Sequence, residues 1–225
     1  MPHKKYEKKK NDILKMAEAY HDNFYKLKVF NGPSLFFHER SLACRNNAGF
    51  KRHLEYVYAT LASWGMHRMG QRGAKMKSFE DFQRSIGSLK RQIKDAQKIN
   101  PLSICPKDWQ ILEDIFRGIK IMSSGTSLIG NSKVMAHLIP DIIPPIDRSY
   151  TLKYLKGKTE IRNNLNEEWE LMKDIVENFF IPVANDECFR AKADEWIPKR
   201  ECYPWDTSAP KLIDNLIIGA VKMPS

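Results

Sequence analysis

Within the stretch 123–152, SSGTSLIGNSKVMAHLIPDIIPPIDRSYTL, two residues could do chemistry together: Lys133 and Asp147, 14 positions apart. Ser123, Ser124 and Gly125 end the helical pattern before them. Leu128, Ile129 and Gly130 form a short apolar turn, and a new helix is expected from near Ser132 to about Leu138. Lys133 then falls in a first helical turn. The positive end of the helix dipole disfavours a cation there and favours the free amine, the form that attacks a sugar C1′ or a carbonyl. An ammonium holding a phosphate is the other role open to it. The hairpin would also turn the backbone N–H groups of Gly130, Asn131 and Ser132 outward, where a DNA phosphate can sit.

Asp147 follows a proline-rich turn, Pro140, Pro144 and Pro145, and precedes RSYTLKYL, which reads as a helix. As an N-cap it would contribute about 1 kcal/mol. The cap also holds a carboxylate in one direction, as needed to stabilise a positive sugar transition state or to orient a nucleophile. Capping and catalysis are therefore compatible at this position.

The charge of the chain points to a polyanionic partner. Thirty-seven Lys+Arg against 27 Asp+Glu leave a net charge of +10, and the pI is near 9.4. The excess is clustered. Lys4, Lys5, Lys8, Lys9 and Lys10 lie at the start, and Arg84, Lys90, Arg91, Lys94 and Lys98 lie in 84–98. Between them HRMGQRGAKMK carries Arg68, Arg72, Lys75 and Lys77 with no acid. Basic residues interrupted by glycine suit phosphate contact, because glycine lets backbone amides approach an oxyanion. A solvated basic face is the plainer alternative.

Trp64 stands just before this basic loop and could stack an extruded base, with His67 at the base edge and Tyr150, three residues past Asp147, facing the same cleft. Each could instead be an ordinary packing residue. Other chemistries find no residues. Cys44, Cys105, Cys188 and Cys202 have no CxxC spacing and read as free thiols. The six histidines lack metal-ligand spacing, so no metal and no cofactor are expected. There is no P-loop and no dinucleotide fingerprint.

The elements that must position these residues are helical. Stripes at three- and four-residue steps run through Leu54–Trp64, Phe79–Ile93, Trp109–Met122, Trp169–Phe180 and Leu212–Val221. Ser78 and Ser208 are expected N-caps, Pro106 and Pro210 open helices, and Pro182 is expected to end one. Residues 11–28 also read as a helix. Strand patterns are confined to 29–37 and 142–146. With 42% hydrophobic and 11% aromatic residues, the chain can bury a core. The expected fold class is mainly α, with few or no strands. A basic tail over 1–10 precedes a single helical domain over 11–225, in which 11–50 and 150–225 form one lobe packed on 51–149. No run of about 18 apolar residues predicts a membrane span, and no apolar region follows the basic start as in a signal peptide. A cytoplasmic protein is expected.

Hairpin, lysine and aspartate together resemble the helix-hairpin-helix DNA glycosylase superfamily. Its bifunctional members carry Leu-Pro-Gly-Val-Gly-x-Lys-x-Ala followed by Val-Pro-Val-Asp. Here Leu128–Ala136 corresponds to the first pattern and Pro145-Ile146-Asp147 to the second. The Gly-x-Gly pair is reduced to Gly130, one more residue separates it from the lysine, and the four-cysteine iron–sulfur loop of some members has no counterpart. The resemblance implies a multi-helix glycosylase-like fold. It implies Lys133 as nucleophile forming a Schiff base, Asp147 supporting the departing base, and a monomer acting on double-stranded DNA with a modified base. The setting would be base excision repair or defence, in the cytoplasm or on the nucleoid of a prokaryote. A non-catalytic helical module that uses the hairpin for DNA phosphates fits the same residues, as more remotely does an RNA-binding or adaptor protein.

Overall fold

The structure, a computed structural model, describes residues 6–28, 32–47, 49–70 and 73–223, and it is mainly α-helical. Helix α1 (Glu7–Lys26) buries Ile13, Ala17, Tyr20 and Phe24 along one stripe. Residues 7–10, expected in a basic tail, form its first turn. Tyr6 before them is buried and donates its hydroxyl to Asp174 Oδ2 at 2.7 Å. Helix α2 (Pro33–Asn47) occupies much of the expected strand 29–37. The Gly-Pro pair there starts a helix rather than a hairpin, with Pro33 at its first position, where a missing N–H costs nothing. Residues 29–31 lie outside the described residues. Helix α3 (Gly49–Ser63) leads to Trp64 and to Gly65, whose φ of +73° reverses the chain.

The strands present are two-residue pieces, β1 (Met69–Gly70) and β2 (Gly73–Ala74), paired antiparallel in the basic loop. Helix α4 (Phe79–Gly87) starts at Ser78, whose hydroxyl accepts from Asp81 N–H at 3.2 Å, as the pattern predicts. Helix α5 (Lys90–Ala96) and α6 (Pro106–Gly118) follow, then a turn through Gly125 (φ +77°) into α7 (Leu128–Leu138). Residues 142–146, the other expected strand, are irregular and buried from Ile142 to Ile146.

After Asp147 the chain makes a π-helical turn over Arg148–Leu152 and continues as α8 (Lys153–Lys156). Helix α9 (Leu165–Ile175) widens into a second π turn over Val176–Phe180 and runs on as α10 (Ile181–Ala184). The helix thus passes Pro182 instead of ending there. The wider turn lets Ile181 N–H reach Val176 O and absorbs the proline, which has no N–H of its own. Helix α11 (Glu187–Trp196) and α12 (Ala209–Lys222) complete the fold, α12 capped by Ser208 with Pro210 in its first turn as expected.

A large core holds most of these together, with Trp169, Phe82, Phe116, Phe179 and Phe180 among its fully buried side chains, and a smaller cluster of Phe24, Trp205 and Ile218 takes in Leu35 of α2 and Trp64. Helix α1 lies along α12, which also meets α8, α10 and the first π turn. Helix α2 packs along α3 and against α7, and its Leu35 and His38 reach Phe24 and Trp205 of the terminal segments. Gly219 is where α1 and α12 come closest: a Cβ there would lie 1.9 Å from the Tyr20 carbonyl oxygen.

Candidate active site

Between α1, α7, α12, the end of α3 and the first π turn, a cavity of about 470 Å³ opens. Helix α7 brings Lys133 to its wall, and the segment before the π turn brings Asp147. Lys133 Nζ donates to Asp147 Oδ2 at 3.1 Å, with the lysine side chain 9% and the aspartate side chain 28% exposed. Asp147 is the N-cap of the π turn. Its Oδ1 accepts Ser149 N–H at 2.8 Å, while its own N–H donates to Thr151 Oγ1 at 3.1 Å. The carboxylate is therefore held at both oxygens with one face left toward the cavity.

Lys133 is not in a first turn. Helix α7 starts at Leu128, so the lysine is the sixth helical residue and the end of the dipole does not act on it. Its position comes instead from being one helical turn before His137, whose Nδ1 meets the Lys133 carbonyl oxygen at 2.7 Å. The amide end of α7 is also taken. Leu128 N–H donates to Glu168 Oε2 at 2.6 Å, and this carboxylate from α9 is 1% exposed. Burial pushes the Glu168 carboxyl up against the lowering effect of the Leu128 and Ser127 amides.

Gly130, Asn131 and Ser132, expected at DNA, are buried. A Cβ at Gly130 would sit 2.8 Å from Ile121 Cγ2. Asn131 Nδ2 donates to Phe116 O at 2.8 Å, and Ser132 Oγ accepts Ile146 N–H at 3.2 Å. These residues brace the start of α7 against the end of α6 and do not face solvent.

The base-pocket candidates divide. Trp64, half-buried at the end of α3, lines the cavity with its ring centroid 5.5 Å from Lys133 Nζ, and Tyr150 lines it from the π turn. His67 is exposed outside it; Arg68, the next residue, lies at the cavity instead, with Nε donating to Gly65 O at 2.6 Å. Lys75 and Lys77 lie on a segment pinned to the turn between α6 and α7: Lys77 N–H donates to Ile121 O at 2.9 Å and Ser123 N–H to Lys75 O at 2.8 Å. Lys75 is exposed and Lys77 half-buried. Arg72 lies outside the described residues.

The opposite wall carries residues that sequence reasoning missed. Lys211 and Asp214 on α12 pair at 2.8 Å, both under 10% exposed at the side chain, and Lys211 also meets Asn215 Oδ1. Lys211 Nζ lies 5.4 Å from the Trp205 ring centroid. Burial raises the Asp214 carboxyl, with Lys211 acting against it and Asp147 adding to it. Their signal was available: a lysine and an aspartate three apart inside an otherwise apolar helix have to find each other. In total the cavity walls hold three cations, Arg68, Lys133 and Lys211, against two carboxylates, Asp147 and Asp214.

Behind Lys133 runs a chain of buried imidazoles. His38 Nδ1 lies 3.0 Å from His137 Nε2, and Thr207 Oγ1 lies 3.4 Å from His38 Nε2. A carbonyl can only accept, so His137 Nδ1 carries the proton toward Lys133 O. His137 Nε2 then accepts from His38 Nδ1–H, and His38 Nε2 accepts from Thr207. Burial is the main reason both rings titrate low, His137 at about 4. The histidines are scattered in sequence, yet two of them touch here across 99 residues. Among the described residues no group of three His, Cys, Asp or Glu could hold a metal ion. The four cysteines are free thiols.

No family model matches this chain, and neither a curated protein nor a solved structure matches it. The geometry of the site therefore carries the functional reading.

Proposed function

We propose that this protein is a DNA glycosylase that excises a damaged or modified base from double-stranded DNA, with Lys133 and Asp147 as its reacting groups. The observation that carries this reading is the 3.1 Å approach of Lys133 to Asp147 on a concave wall lined by aromatic rings. Had the two stood apart on a convex surface, catalysis would have had no support. An enzyme that acts on a base takes it out of the stack and holds it against apolar faces. Trp64, Trp205 and Tyr150 offer such faces, in a cavity within the usual range of small-ligand sites.

In this reading the N-glycosidic bond breaks with its electron pair leaving on the base, which takes a proton from the Lys133 ammonium. The freed amine bonds to C1′. Asp147, fixed by Ser149 and Thr151, stabilises the cationic sugar between those events. Opening of the sugar ring moves a second amine proton to the ring oxygen and leaves a Schiff base; C2′ then loses a proton to water, its electron pair forms the C2′=C3′ bond, and the 3′ phosphate departs with the C3′–O pair, which cuts the strand. Arg68, Lys75 and Lys77 supply phosphate contacts, while the buried hairpin amides take no part. The protein would act as a monomer, without cofactor, in the cytoplasm or on the nucleoid of a prokaryote. No helix among the described residues is long and apolar enough to cross a membrane.

The test is an excision assay on duplexes that each carry one modified base or an abasic site, with and without borohydride. Wild type should release a base and give a trapped protein–DNA adduct. Lys133→Gln should lose the adduct and Asp147→Asn should lose excision. Release without trapping would leave Asp147 in place and reduce Lys133 to a positioning cation. Duplexes bound but never processed, across a broad panel, would sink the proposal in favour of a non-catalytic DNA-binding module.

A further inference from the structure

A second pocket, of about 290 Å³, lies between the end of α2, α3 and α5, and shares no lining residue with the Lys133–Asp147 cavity. Its walls carry Arg45, Lys90 and Lys94, with Phe50 and Gln97, and no carboxylate. Lys90 and Lys94 are four apart on α5 and so share a helix face. Lys90 Nζ rests 4.9 Å from the Phe50 ring centroid, and Gln97 Nε2 donates to Leu138 O at 2.9 Å. Among the described residues none of the three cations forms a salt bridge. Like charges are thus gathered at one concavity without a counter-charge.

The same pocket is lined by His53, 2% exposed, whose Nε2 has no hydrogen-bond partner. The backbone of His137 lies beside the ring. A buried polar atom without a partner is rare in folded proteins and asks for one. The groups facing this imidazole are Arg45 from α2, His137 from α7 and Lys90 and Lys94 from α5. They are cationic or neutral, so none offers Nε2 an acceptor for a proton.

We infer that this pocket binds a tetrahedral oxyanion of the phosphate class, held by Arg45, Lys90 and Lys94 and by His53 through Nε2–H. On binding, the imidazole takes one proton from solvent and becomes a donor, which completes its hydrogen bonding. The site is independent of the excision chemistry. Its anion comes either from a nucleic-acid backbone or from a free phosphate compound.

The experiment is calorimetric titration of the full chain with sulfate, which keeps its double charge near neutral pH, alongside titration with an unmodified duplex. Wild type should bind sulfate saturably. Lys90→Gln with Lys94→Gln, both exposed in the fold, should weaken it about tenfold, the loss expected for charge-assisted contacts. Affinity should rise about thirtyfold from pH near 7.5 to pH near 6, as uptake of one proton requires. Nitrogen-15 NMR of the His53 ring should show Nε2 gaining its proton as sulfate is added. If the double variant weakens sulfate and duplex together, the anion is a backbone phosphate; if sulfate alone, a free phosphate compound. Equal sulfate binding by wild type and variant, with an unmoved His53 ring signal, would overturn the inference.

Discussion

Lys211 and Asp214 form the more buried of the two ion pairs on the cavity wall. Removing one member of such a pair strands the other charge away from water, which costs about 3 kcal/mol or more. Asp214→Ala should therefore lower the unfolding free energy by about 3 kcal/mol, read from the urea midpoint, and Lys211→Met in the same chain should recover much of the loss. A double variant as unstable as the single one would show that the pair is not the origin. The buried imidazoles give a pH dependence whose sign is fixed. His53 and His137 titrate at about 4 in the fold, chiefly because burial disfavours the charged ring, and His38 is lowered for the same reason. In the unfolded chain these rings bind protons from about pH 6.5 downward. Acid is therefore taken up by the unfolded chain first, and stability falls as pH drops from about 6.5 toward about 4. Asp214 and Glu168, both raised by burial, act in the opposite sense, as two carboxyls against three rings. Urea midpoints at pH near 7.5 and near 5 should differ accordingly, the lower pH being the less stable; equal midpoints would refute the assignment.

Close approach of helices is governed by single small residues. At Gly219 the obstacle to a side chain is the Tyr20 backbone, whereas at Gly130 it is the side chains of Ile121 and Met122, which can shift. Gly219→Ala should thus destabilise by at least about 2 kcal/mol and more than Gly130→Ala, by thermal or urea unfolding. What could be read from the sequence at this scale follows the same logic of local against distant causes. Ser78, Ser208, Pro106 and Pro210 act within one turn, and the helices they start stand where the pattern predicts. α2 was hidden, because an apolar run beside Gly-Pro reads as a hairpin when its packing on α3 is not visible. The register of α7 was also missed: Leu128 begins the helix because Glu168, 40 residues away, satisfies its amide. Lys133 and Asp147 were singled out by residue type and by the resemblance, while their 3.1 Å approach depends on how α7 docks on the segment before the first π turn. Lys211 and Asp214 had a local signal within α12, but their place at the cavity, like the His38–His137 contact, depends on the docking of distant segments.

For the whole molecule, the clustered +10 charge makes the duplex binding of the proposed function a matter of displaced counterions. Affinity for a duplex should fall steeply with salt, and Lys75→Gln should make the slope of log K against log salt shallower by about 1 without altering the base preference. An unchanged slope would remove Lys75 from the interface. The cavity itself is assembled from far-apart parts of the chain: Phe24 in α1, Trp64 after α3, Lys133 in α7, Asp147, and Lys211 with Asp214 and Ile218 in α12. Synthesis proceeds from one end, so a ribosome-bound chain can hold Lys133 and Asp147 side by side while the opposite wall has yet to be translated. Until residues 209–222 have been made, the Lys133–Asp147 pair faces open water rather than an enclosed pocket, and a chain arrested during translation carries the two charges without the chamber around them.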